Sequence, residues 1–417
     1  MIPEAAPQKT QQHEYVRAEP NEIKAPQSKT YDTVHADGLP AHWSSRRRRD
    51  GWFLLVVLLL GMGTILVLSH VGTLSQKQSN GSPPAPLPTS TTSATPAATA
   101  RVIVRVAQVH LFPFPPSNVG LMQPAVDAQG NVWVGEMSAN RLARLASHTG
   151  VVTTWKPPNG KYGIMTTAVD TKGKVWFVEQ GANYIGRFDP ATQTFRSFPL
   201  GIVNGHPLGP QDLQFDTRGQ LWFTALLGGR IGRLDPATGA VQTWPVPSPN
   251  PATPATPFSL TVTPDEQVWF GDITGGAVGH LNPATGRVRL YHLADSQAEV
   301  FAMAHDSRGH IWFTEIGSGR LGMIDTTTNS VTELPVPALF GKPAALYGLV
   351  VTHDGNVWFV NNSAGMLVRY APGEAPYTFF QLALPSSGPF GLTLDAAGKL
   401  WFTADGPSAN YVGAVTP

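Results

Sequence analysis

The chain of 417 residues contains no cysteine, which excludes disulfide bridges and thiolate metal sites and leaves packing alone to stabilise any part that folds outside a reducing compartment. It has no excess of charge either. There are 29 basic and 28 acidic side chains; the first fifty residues hold 8 and 7 of them, leaving 21 of each sign for the rest. A surface that neutral is a poor match for a polyphosphate, so nucleic acid is not an expected partner. Long apolar runs are missing with one exception, Trp52 to Ser69, which carries no charged side chain and is long enough to cross a bilayer as a helix. Four arginines, Arg46 to Arg49, stand just before it, and short basic flanks stay on the cytoplasmic side. No small-residue cleavage site follows closely, so an anchor is expected rather than a cleaved leader.

These gaps divide the chain. Residues 1–50 are polar, mixed in charge and poor in large apolar side chains, and are expected to form a disordered cytoplasmic tail. Residues 51–72 are the expected transmembrane helix, making this a single-pass membrane protein with its amino terminus inside. Residues 73–100, rich in Ser, Thr and Pro, read as a tether. Residues 101–417 are left to fold outside the cytoplasm.

That last region repeats. GNVWVGE, GKVWFVE, GQLWFTA, EQVWFGD, GHIWFTE, GNVWFVN and GKLWFTA are centred on Trp133, Trp176, Trp222, Trp269, Trp312, Trp358 and Trp401, at spacings of 43, 46, 47, 43, 46 and 43 residues. A turn of the Asp-x-x-Gly type precedes most of these segments, and a second turn such as DPATG follows a stretch such as RIGRL. Each unit therefore reads as four short strands in a meander, and the fold expected is an all-β, seven-bladed β-propeller with four-stranded blades. The last unit ends after its third strand, in YVGAVTP, while RVAQVHLFPF (residues 105–114) precedes the first unit and can supply the missing fourth strand. A closed ring of this kind is expected to be monomeric. The recurring Trp, Phe, Gly and Asp residues are then framework.

Chemistry has to be sought where the blades differ, at the upper end of the central channel. Eleven residues before each Trp, the tops of the inner strands are Met122, Met165, Gln211, Phe258, Phe301, Tyr347 and Phe390. This ring suits a greasy or planar ligand, or simply plugs the channel. Three residues after each Trp stand Glu136, Glu179, Ala225, Asp272, Glu315, Asn361 and Ala404. In the fifth unit, counting outward from the turn at Arg308 sets Phe301 opposite Glu315 and brings Glu299 diagonally near it. That pair of carboxylates is the candidate metal site, and oxygen ligands without Cys or His favour Mg²⁺ or Ca²⁺. His206 lies in a loop before the third unit; His280, His292, His305, His310 and His353 are expected on outer strands or lower turns.

WFTE, NYIGRFD, RIGRLD and the recurring Asp-x-x-Gly resemble the repeats of the virginiamycin B (streptogramin B) lyase family of seven-bladed propellers, over about residues 105–417. The resemblance implies Mg²⁺-dependent opening of type B streptogramins by elimination, with a histidine base. The family pattern has Glu-Pro-His at the top of one inner strand, a Glu fourteen residues beyond that His, and a second His at the matching place one unit earlier. Here the triplet is Glu299-Val300-Phe301, the later carboxylate is Glu315, and the earlier unit carries Phe258. A phenyl ring has no lone pair with which to take a proton. The expectation is therefore a membrane-anchored propeller that binds a small molecule or a protein on its upper face, or has another activity; the alternative is a Mg²⁺-dependent lyase.

Overall fold

The structure is a computed structural model that describes residues 103–159, 163–248, 254–374, 377–384, 387–407 and 409–416, with the backbone of two short strands, Gln12–Glu14 and Asn21–Glu22. The expected transmembrane helix and the tether lie outside the described residues, among which no helix is long and apolar enough to cross a membrane.

Seven antiparallel sheets follow one another along residues 103–416, each a meander running outward from the axis. The third blade shows the pattern, with Pro210–Phe215 innermost, then Leu221–Ala225, Arg230–Leu234 and Val241–Pro245. In the seventh blade the fourth strand is Val109–Pro113, whose Phe112 pairs with Val412, so the start of the propeller closes it. The chain also adds an element that the repeat does not announce. Ile103–Val106 runs parallel along the outer strand of blade 6, pairing Val104 with Phe379, and gives that blade a fifth strand.

Most of residues 1–50, expected to be a disordered tail, lie outside the described residues, but two short strands there pair with the propeller. Gln12–Glu14 adds to the outer edge of blade 1, with Gln12 opposite Trp155, and Asn21–Glu22 adds to that of blade 7, with Asn21 opposite Leu111. An outer edge carries unpaired backbone groups that any extended segment can bond.

The repeated residues hold the blades. All seven repeat tryptophans are buried. In five blades the Asp of the turn accepts a hydrogen bond from the indole Nε1 six residues later, as from Trp176 to Asp170 and from Trp222 to Asp216, both at 2.9 Å. The same Asp accepts backbone amides of its own turn, so one carboxylate fixes both the turn and the ring. In the third strand a Cβ on Gly232 would collide with the Phe223 ring, and four other blades repeat that Gly-on-Phe contact, which accounts for the glycine of RIGRL. Strand Thr224 uses its Oγ1 to accept the Asp212 amide and to donate to the Phe258 carbonyl of the next blade, each at 3.0 Å. Thr314 does the same for Ala302 and Tyr347. The Thr of WFT is thus an inter-blade tie.

Candidate functional site at the upper end of the channel

The inner strands carry a bulge that the sequence spacing does not reveal. In blade 5 Val300, not Phe301, pairs with Glu315, and register resumes only at Met303 opposite Phe313. The expected facing of Phe301 and Glu315 is corrected by that one residue. Similar shifts follow Pro210, Pro257, Leu346 and Pro389. An extra residue on one strand locally breaks the ladder and re-aims the side chain there. The ring residues sit at this point, and their side chains turn to the channel.

There the aromatic members meet. Phe258 and Phe301 lie 4.9 Å apart between ring centroids, Phe301 and Tyr347 4.8 Å, Tyr347 and Phe390 5.0 Å, and Phe301 and Phe390 5.4 Å. Tilted and edge-on contacts at these distances are favourable packing. Met122, Met165, Gln211 and Phe258 are buried, while Phe301, Tyr347 and Phe390 keep partial exposure. Gln211 accepts a hydrogen bond from Gln180 at 2.5 Å. The ring therefore forms an aromatic cap spanning blades 4 to 7 and a smaller, partly polar margin on blades 1 to 3.

Behind the cap, the strand-end carboxylates are closed off. Glu136, Glu179 and Glu315 are fully buried. Glu136 bonds Arg141, yet burial outweighs that partner and raises its carboxyl to about 6. Neither oxygen of Glu179 has a hydrogen-bond partner among the described residues, and burial alone pushes it to about 7. Glu315 accepts from Ser318 Oγ at 2.5 Å through one oxygen and has no partner among the described residues on the other; burial lifts it to about 7 against the hydrogen bond from Ser318. Asp272 and Asn361, by contrast, bond loop groups around them, Asp272 the Gly275 amide at 3.0 Å and Asn361 the Ser363 hydroxyl at 2.9 Å.

Glu299 is the unusual member. Its φ is +54°, a left-handed backbone that glycine adopts freely and other residues adopt at a cost. The corresponding places in blades 1, 2 and 3 are Gly120, Gly163 and Gly209, all with positive φ, and in all four the residue's carbonyl caps the amide that follows the second strand. Burial raises the Glu299 carboxyl, with Asp295 adding to it. Asp295 also acts on Glu315, so three carboxylates share this corner. A Mg²⁺ ion keeps several waters in an open octahedral shell. Glu315 is closed to solvent, and no group of three or more His, Asp or Glu able to hold a metal occurs among the described residues, so the pair does not fit that ion as it stands.

The histidines fall partly as expected. His280 stacks on Trp269 in the third strand of blade 4, and His310 bonds Asp306 beside the lower turn. His206 stands exposed in a small hairpin, Ile202–Val203 with His206–Pro207. His305 corrects the expectation: it ends the innermost strand of blade 5 and lines the channel, with Nδ1 3.0 Å from Thr261 Oγ1. Its place four residues beyond Phe301 on one strand was the signal that could have found it.

The description "Virginiamycin B lyase family" matches residues 91–370. Among solved structures, a streptogramin B lyase is 24% identical with a TM-score of 0.65, covering 74% of this chain and 97% of its own. A catalytically inactive histidine-to-alanine variant of virginiamycin B lyase from Staphylococcus aureus, solved with quinupristin, is 21% identical with the same TM-score, covering 74% of this chain and 99% of its own. The likeness in coordinates speaks for the fold. No curated protein sequence matches the chain.

Proposed function

Because this chain belongs to the virginiamycin B lyase family, yet carries Phe258 and Phe301 at the two strand tops where the family pattern has histidine, we propose that it is a binding propeller of that family. It is displayed outside the cytoplasm on a single membrane helix, acts as a monomer, and takes a small-molecule or protein ligand on its upper face. One observation carries this reading: the two rings pack on each other at 4.9 Å, so the seat of a general base is filled by groups that cannot accept a proton. The raised carboxyls of Glu179 and Glu315 do not replace it, since both are sealed from the channel mouth.

The test is incubation of the full chain with quinupristin and Mg²⁺. Chromatography with fragment-ion mass spectrometry is needed, because elimination leaves the mass unchanged whereas hydrolysis adds a water. Unaltered quinupristin is expected; a linear isomer overturns the proposal. The second reading, a lyase with altered apparatus, is supported by the family match and by Glu299 and Glu315 standing where the pattern has carboxylates. Phe258→His with Phe301→His discriminates, since activity gained there identifies a scaffold that has lost its base. Metal analysis of the purified chain against Glu299→Ala and Glu315→Ala tests the Mg²⁺ assignment separately.

Topology has its own test. A chain that crosses once between residues 52 and 69 cannot also bond Gln12 to the edge of blade 1. Since the protein has no cysteine, Gln12→Cys and His353→Cys can be labelled singly on intact cells with a membrane-impermeant maleimide. The anchored topology requires label at position 353 and none at position 12.

A further inference from the structure

Below the aromatic cap the channel holds a cavity of about 550 Å³, within the range of sites that enclose a small molecule. Ring residues, Phe258, Phe301 and Phe390 among them, form its upper wall, and its lower wall, with His305, Val351 and Leu394, lies at the other end of the inner strands. The walls are mixed, with apolar residues such as Ala168, Ala304, Val350 and Leu394 beside polar ones in about equal measure. Its polar groups are unequally available. Asp212 already accepts the Leu213 amide at 2.9 Å on one oxygen and the Leu260 amide at 3.0 Å on the other, and Gln214 uses its Oε1 to accept the Val262 amide at 2.9 Å, so these oxygens tie blade 3 to itself and to blade 4. Gln123 is engaged with Leu392, donating Nε2 to its carbonyl at 2.6 Å and accepting its amide at 3.4 Å.

His305 differs. It is the one imidazole among the residues lining the cavity, and its Nδ1 is engaged by Thr261, which leaves Nε2 as the ring nitrogen able to meet a ligand. The surroundings also select against charge. Burial lowers the His305 pKa against the pull of Asp306 and Asp265, which favours the neutral imidazole, while Asp212, raised to about 6, is still largely ionised at neutral pH and repels a negatively charged ligand. We infer that the lower channel is a second binding site, for a small uncharged molecule with an apolar body and one hydrogen-bonding group that pairs with Nε2 of His305. The inference does not depend on what the upper face binds.

Carbethoxylation of the full chain by diethyl pyrocarbonate, read by peptide mass spectrometry, tests this with 2-naphthol as the probe and 2-naphthoate, the same ring system with a charge, as its control. His148 and His353 are exposed and serve as internal references. Saturating 2-naphthol is expected to slow modification of His305 about tenfold at ten times its Kd while leaving His148 and His353 unchanged, and 2-naphthoate to protect far less. Ala304→Leu and, independently, Ala168→Leu are expected to abolish protection by filling the cavity, with His305 still reactive. Failure of His305 to react at all, equal slowing of all three histidines, or undiminished protection in both filled variants overturns the inference. Equal protection by naphthoate overturns the claim that the ligand is uncharged.

Discussion

The two ends of a single strand, Val175–Glu179 in blade 2, obey different rules. Trp176, near the lower end, is buried with every need met: Nε1 to Asp170, one face stacked on Phe198 at 5.2 Å, an edge contact to Phe215 of the next blade, and Arg187 over the ring. Glu179, three residues on, is equally buried with no hydrogen-bond partner on either oxygen among the described residues. The lower end recurs almost unchanged around the ring, whereas the upper end reads Glu, Glu, Ala, Asp, Glu, Asn and Ala. Repetition marks where every blade faces the same packing demand; variation marks where the demand is local. The comparison says that stability is invested below and that the upper positions are free to be costly.

The largest effect should come from breaking the lower end. Trp176→Ala removes a large buried side chain between two blades and strips Asp170 of its indole donor, and is expected to cost about 3–5 kcal/mol in denaturant unfolding of the full chain followed by fluorescence. A loss below about 1 kcal/mol would mean that the blades do not depend on this lattice.

The upper end predicts a pH dependence instead. The folded-state pKa of Glu179 is about 7, above the ordinary 4.5, so the folded protein holds that proton where the unfolded chain releases it. Its contribution is whole below pH 4.5 and is lost as the pH rises through 7. Glu179→Gln should therefore gain on the parent between those limits, by something of the order of 3 kcal/mol. Unfolding free energies of both proteins at pH 4 and pH 8 check this, and parallel pH profiles refute it.

The inter-blade ties are intermediate. Thr314→Val keeps shape but leaves the Ala302 amide and the Tyr347 carbonyl without their shared hydroxyl, at an expected cost of about 1–3 kcal/mol. Val178 and Val360 stand at the same place in blades 2 and 6, so the neighbourhood accepts the shape. A neutral result would show that water or a backbone shift serves those groups equally well.

The contrast between the two ends also explains what the sequence disclosed. Tryptophans at near-constant spacing count the blades because each fills an equivalent gap, and Tyr411–Val415 ending without its fourth strand points to Val109–Pro113 because an open edge must be closed. The bulge after Val300 was not legible, since an extra residue on an inner strand carries no signature of its own, and one residue was enough to misplace Phe301 against Glu315. His305 was missed because it was assigned to the outer strands or lower turns, whereas it ends the innermost strand just before the turn that Asp306 begins. The aromatic cap was legible as a ring of seven positions but not as a set of contacts, because which rings touch depends on the bulge. The parallel strand Ile103–Val106 was hidden for the opposite reason, being unlike any repeat.

The smallest expected effect is the most pointed test of the upper end. Glu299 holds a left-handed backbone where blades 1, 2 and 3 place glycine, with the same carbonyl bond to the next strand, here to the Ile316 amide at 3.1 Å. That conformation costs an L residue about 1–2 kcal/mol. Glu299→Gly would relieve the strain while giving the unfolded chain back about 0.4–1 kcal/mol of freedom. The two nearly cancel, so the midpoint in urea should move little and upward, with an unchanged slope. A clear fall would mean that the carboxylate itself supports the fold, through contacts that outweigh its backbone cost. A rise would mean that blade 5 tolerates a strained residue its neighbours avoid, and that the reason for glutamate at this corner lies in what meets the upper face rather than in holding the propeller together.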